Sequence, residues 1–100
     1  MIIAVDFDGT LCEYKNPGIG APKMDVINKV RDLGKENYLI LWTNRRGKAL
    51  KDAINWCKYY NIIFNKVNKN APGKKSSRKI YADLYIDDKA INVEDINCIK

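Results

Sequence analysis

The sequence predicts an α/β fold, a doubly wound parallel sheet, on two observations. Strand and helix signals alternate along most of the chain, the pattern of a parallel sheet covered by helices. The strand signals are short, almost wholly apolar runs of the kind found where both sheet faces are buried. The length, 100 residues, sets one domain over residues 1–100 and allows a core without disulfide or metal staples.

The elements follow in order. Residues 2–6 form the first buried strand. Residues 22–33 read as a helix, with Pro22 in its first turn, Met24, Ile27 and Val30 at helical spacing and Gly34 as a stop. Residues 38–43 are the second strand. Residues 47–60 are a second helix, with Leu50, Ala53, Ile54 and Cys57 on one face. Residues 62–67 are the third strand and residues 84–87 the fourth, with 96–99 a short edge strand. Right-handed crossovers between such strands place a ligand site at their carboxyl ends.

Composition narrows the function classes. Apolar residues make up 46% and charged residues 30% of the chain, the balance of a globular protein. No apolar run approaches the roughly 20 residues of a membrane span, and the start lacks the basic flank and length of a signal peptide, so the expectation is a cytoplasmic protein with no membrane partner. Cys12, Cys57 and Cys98 form no CxxC and there is no histidine. That argues for reduced thiols and against a zinc site. Cys12 is expected as a small buried filler, Trp42 and Trp56 as core residues.

The net charge of +6 is held by one segment. Residues 66–79 carry Lys66, Lys69, Lys74, Lys75, Arg78 and Lys79 without an acid, so the other 12 basic and 12 acidic residues cancel. Such a field is either a solvated loop or a guide for an anionic substrate. Pro72-Gly73-Lys74-Lys75-Ser76 is not a phosphate loop, since Asn68 stands where its first glycine belongs.

Chemistry gathers at the strand ends. Asp6-Phe7-Asp8-Gly9-Thr10 sits where the first strand runs out, and two like charges there call for a cation or phosphoryl ligand. Thr43, Asn44 and Arg45 end the second strand with a hydroxyl, an amide and a cation suited to phosphate oxygens. Asp87 and Asp88 end the fourth with hard oxygen donors of the kind Mg²⁺ takes. Lys79 closes the basic loop just before the fourth strand. Together these make a constellation for Mg²⁺-assisted phosphoryl transfer.

In these residues the chain resembles the haloacid dehalogenase superfamily, whose domain is Rossmann-like. Asp6-Phe7-Asp8-Gly9-Thr10 is similar to its first motif, Thr43 to its second, Lys79 to its third and Asp87-Asp88 to its fourth, in the same order, over about residues 1–90. The resemblance implies that Asp6 attacks phosphorus to form an aspartyl-phosphate and that Asp8 is the general acid and base. Mg²⁺ would be held by Asp6, the Asp8 backbone carbonyl and Asp87, with Asp88 ligating through water or orienting the shell. Thr43 and the Asn44 amide would hold the phosphoryl oxygens, with Lys79 offsetting charge; Lys74 and Lys75 are alternatives for that lysine, and Arg45 for a substrate contact.

Residues 9–21 and 68–83 are too short to hold a cap domain, so the resemblance is to the capless branch, with a short flap after the first motif and an open site. The expected function is a Mg²⁺-dependent phosphatase for a phosphomonoester, with nucleotide-like or polynucleotide substrates favoured by the basic segment. The alternative is a phosphate- or nucleic-acid-binding module without turnover. A phospho-accepting receiver domain is disfavoured by the order, because the spaced aspartates come first and the adjacent pair last.

Overall fold

The computed structural model describes residues 1–74 and 80–87. The third-motif lysine Lys79, its alternative Lys75, Asp88, Cys98 and the edge strand expected over 96–99 lie outside them. The elements are β1 (Ile2–Val5), α1 (Met24–Leu33), β2 (Tyr38–Leu41), α2 (Gly47–Tyr59), β3 (Lys66–Val67) and β4 (Leu84–Ile86).

The strands form a four-stranded, all-parallel sheet in the order β3-β2-β1-β4. The doubly wound α/β expectation therefore holds. From β1 the chain steps outward twice in one direction, through α1 and α2, and then returns to the other side of β1. Crossovers of one hand put both helices on the same face, and one apolar cluster joins Ile3, Val5, Leu39 and Leu41 of the sheet with Ile27 and Val30 of α1 and Ala53 and Cys57 of α2. Ala4 and Ile40 alternate to the opposite face and are buried as well. Between β3 and β4, Ala71 and Ile80 are buried.

Every element stops short of its expected bounds, α1 and β3 for reasons the contacts show. Helix α1 begins at Met24 rather than Pro22, because Pro22 is bridged to Cys12 and the Lys23 amide donates to the Leu11 carbonyl. Those bonds hold residues 21–23 in an extended pairing with residues 11–13. Strand β3 keeps only Lys66 and Val67, because the Asn65 side chain takes over at the start of β2: its Oδ1 accepts from the Leu39 amide at 2.8 Å, while the Asn65 backbone amide donates to the Leu39 carbonyl. Ile62 still buries, but as part of the turn out of α2, where Asn61 adopts a φ of 62°. No described helix is long and apolar enough to cross a membrane.

Asp83 fastens the amino-terminal end of the sheet. Its amide donates to the Ile2 carbonyl at 2.8 Å, and its carboxylate accepts from the Ile2 amide at 2.7 Å and from the Tyr81 hydroxyl at 2.8 Å. The Ile2 bond, followed by that from Tyr81, holds the carboxyl below its ordinary value, and the same contact raises Tyr81. A lowered folded value means the stabilisation is complete above the unfolded value, near 3.9, and is lost as pH falls through the folded one. Melting of Asp83→Asn against wild type should therefore show a small stability deficit at neutral pH that shrinks as the pH is lowered below about 4. A deficit that stays constant into acid would remove the carboxylate's role.

Candidate functional site

The register brings the carboxylates together. Val5 pairs with Ile86 at the carboxyl ends of β1 and β4, and the Asp6 amide continues the ladder to the Ile86 carbonyl at 2.9 Å. Asp6 and Asp87 are thus the next residues of two neighbouring strands, at the point where the winding direction reverses, and both are half-buried. Thr43 follows the carboxyl end of β2 on the other side of β1.

After Asp6 the chain turns sharply. The Thr10 and Leu11 amides both donate to the Phe7 carbonyl, and the Gly9 amide donates to the Cys12 carbonyl at 2.9 Å. Gly9 takes a φ of 84°, a conformation open to glycine. Phe7 points into the core, its ring edge-on to Trp56 at 5.3 Å, so the flanking Asp6 and Asp8 alternate away from it. Thr10 is buried with its hydroxyl unpartnered among the described residues. Cys12 is fully buried, as expected of a filler, and burial, ahead of the Asp8 charge, raises its thiol; burial pushes Cys57 up to about 12. Trp56 packs against the core, whereas Trp42 is half-buried and stands outside the core cluster.

Thr43 is positioned from both sides. Its amide donates to Asn68 Oδ1 at 2.9 Å, and its Oγ1 accepts from the Arg45 amide at 3.2 Å. Its hydroxyl proton has no partner among the described residues, which leaves a donor at the strand ends. Asn44 beside it is exposed.

Arg45 does not face solvent or a substrate. Its side chain is 0% exposed and forms a two-pronged ion pair with Asp8, Nη2 to Oδ1 at 2.7 Å and Nε to Oδ2 at 2.9 Å. Nη2 also donates to the Gly18 carbonyl, and Nη1 donates to the carbonyls of Pro17 at 3.1 Å and Ala49 at 3.3 Å. A guanidinium has five N–H donors, and all five are used here. The expectation of a substrate contact from Arg45 is therefore corrected, since it retains no donor for a phosphoryl oxygen. The hydrogen bonds to Asp8 raise its already high pKa further. The guanidinium also lies 5.0 Å from the centre of the Phe7 ring.

The Lys74 alternative is corrected as well. Its ammonium sits 5.0 Å from the centre of the Tyr81 ring, and Tyr81 is bonded to Asp83 at the amino-terminal end of β4. The carboxylates stand at the other end, about 10 Å away along a three-residue strand. Two site contacts escaped the sequence reading. Lys23 reaches back to donate to the Gly9 carbonyl at 2.7 Å, and Asn68 fixes Thr43. Asn68 carried a signal, as a polar residue at the end of a parallel strand; Lys23 carried none, because its partner is a backbone oxygen.

Among the described residues no three His, Cys, Asp or Glu side chains form a metal-holding group. The donors that are present still suit Mg²⁺, which keeps several waters and needs only one or two carboxylates. Asp6 and Asp87 lie on adjacent strand ends, and the Asp8 carboxylate, being taken by Arg45, leaves its backbone carbonyl as the contribution expected of it.

The flap over residues 13–21 is held shut at its base, with the Glu13 amide donating to the Ala21 carbonyl at 2.8 Å. A Cβ at Gly20 would lie 2.3 Å from the Glu13 carbonyl oxygen, so the two backbones touch only because Gly20 has no side chain. Gly20→Ala should cost about 1–3 kcal/mol in denaturant unfolding and speed amide exchange at Glu13. Wild-type stability in that variant would mean the flap pairing is loose.

A solved structure, that of a conserved protein from Bacteroides thetaiotaomicron, aligns with a TM-score of 0.81 at 41% sequence identity, covering 91% of this chain and 78% of that one. No protein-family model matches the chain, and no curated protein gives a significant match.

Proposed function

On the premise that the chain belongs to the same family as the conserved Bacteroides thetaiotaomicron protein, we propose that it is a Mg²⁺-dependent phosphomonoester hydrolase of the haloacid dehalogenase type. The observation that carries this reading is the placement of Asp6 and Asp87 as successive residues beyond one β1–β4 register pair, beside Thr43 at the end of β2. Carboxylates on adjacent strand ends suit a divalent cation, and a hydroxyl donor beside them suits an oxygen of the phosphoryl group that such a cation would hold.

In this reading an Asp6 oxygen attacks phosphorus, the bond from phosphorus to the ester oxygen breaks, and Asp8 protonates the departing alkoxide. Water then attacks the aspartyl-phosphate as Asp8 takes its proton, and the acyl-phosphate P–O bond breaks to restore Asp6. The Thr43 hydroxyl and the Asn44 amide hold phosphoryl oxygens, and Lys79 offsets their charge. Bound Mg²⁺, held by Asp6, Asp87, the Asp8 carbonyl and Asp88, would neutralise charge on the transferring group. Arg45 occupies one lone-pair site on each Asp8 oxygen, which fixes the orientation of the carboxyl and leaves its other sites open.

The substrate proposed is an exposed phosphomonoester on a nucleotide or polynucleotide, drawn by a net charge of +6, and the setting proposed is a reducing cytoplasm. The test is phosphate release from a panel of aryl phosphate, nucleotides, sugar phosphates and end-phosphorylated oligonucleotides. Turnover should require Mg²⁺, vanish in Asp6→Asn and fall by about 10² to 10⁴ in Asp8→Asn. Phosphate-independent binding of oligonucleotides, unchanged by Asp6→Asn and with no turnover from folded protein, would replace this reading with a binding module.

A further inference from the structure

We infer that Arg45 is a positioning residue for Asp8 and at the same time the latch that ties the flap to the site. The part of this inference that concerns chemistry rests on the phosphatase reading above. Its physical part rests on the bonds themselves. One fully buried guanidinium joins three separate pieces of chain, Asp8 after β1, Pro17 and Gly18 in the flap, and Ala49 in the first turn of α2, while the backbone amide of Arg45 donates to the Thr43 hydroxyl oxygen.

The Asp8 end matters because a carboxylate held by two parallel N–H bonds has its rotation fixed as well as its charge matched. An acid that must meet the leaving oxygen within hydrogen-bond reach gains from that fixed aim. The flap end matters because an exposed loop has few other anchors: residues 13–18 are all exposed. Two of its carbonyls are bound by the same group that aims Asp8, so the position of the flap and the aim of the acid are set together. Lysine at this position keeps the charge but has three donors on a single nitrogen, and it cannot serve the fork and the flap carbonyls at once.

The experiment compares wild type, Arg45→Lys, Asp8→Asn and the double variant on two Mg²⁺-supported substrates: an alkyl phosphate, whose leaving oxygen needs a proton, and a nitrophenyl phosphate, whose leaving oxygen does not. Arg45→Lys should lower kcat on the alkyl ester by about 10²-fold, the low end of what a general acid contributes. On the nitrophenyl ester it should act far less, with KM unchanged on both, and it should add nothing in the Asp8→Asn background. A rise in KM, an equal loss on the two esters, or a loss that persists without the Asp8 carboxyl would overturn the positioning role.

Amide exchange read by mass spectrometry tests the latch without any turnover. The flap peptides should exchange about tenfold faster in Arg45→Lys, or in Arg45→Gln if the lysine variant does not fold, while β1 and β2 stay protected. Unchanged flap exchange overturns the latch. An inactive wild type overturns the phosphatase reading alone and leaves the exchange result to decide.

Discussion

The central position of β1 is the constraint on which the site depends. It is hydrogen-bonded on both sides, to β2 and to β4, and Ile3, Ala4 and Val5 are buried. A strand enclosed in this way resists a slip in register, because a shift by a single residue would draw Asp6 in among aliphatic side chains. That register fixes where the apolar run must stop. Asp6 is the first residue that cannot be buried among aliphatic neighbours, and it emerges where β4 delivers Asp87 and where β2, one strand away, delivers Thr43.

A second constraint follows from placing acids there. Asp8 has its side chain 13% exposed, and a charge so nearly enclosed needs a partner. Arg45 supplies it from the next strand end, and its own enclosure is offset by five N–H bonds that leave no donor unmet. A buried ion pair is costly to break from one side, by about 3–5 kcal/mol. The pair therefore makes the open end of the sheet a connected unit, with the flap, the first turn of α2 and the loop after β1 referred to one group. The same commitment leaves Arg45 no donor for a substrate, while Thr43, Asn44, Asp6 and Asp87 stand at the strand ends where the proposed ligand would bind.

How far the sequence shows this depends on the range of the interaction. The apolar runs at Ile2 to Val5 and Tyr38 to Leu41 and the helical spacing of Ile27, Val30, Ala53 and Cys57 are local patterns, and they give the sheet, both helices and the strand-end placement of Asp6, Thr43 and Asp87. The shortening of β3 is not local: Ile62 to Val67 reads as a strand until Asn65 inserts its amide into the ladder of Leu39. Pro22 likewise suits a helix start until Cys12 pairs with it. Arg45 is the clearest case. A cation beside Thr43 invites a phosphate contact, and only the fold shows that Asp8 and two flap carbonyls reach it first. The basic segment illustrates the same point, since Lys74 lies at the opposite end of the sheet from the carboxylates.

The proposed hydrolase depends on Asp6 as the phosphoryl acceptor at a Mg²⁺ site shared with Asp87. Beryllofluoride, which adds to an aspartate carboxylate as a phosphoryl mimic, addresses that claim without knowledge of the substrate. The ¹⁹F NMR spectrum of the protein with beryllofluoride should show bound resonances that require Mg²⁺, disappear in Asp6→Asn and weaken in Asp87→Asn. Bound signals that persist in Asp6→Asn, or none at all from folded wild-type protein with Mg²⁺, would contradict it.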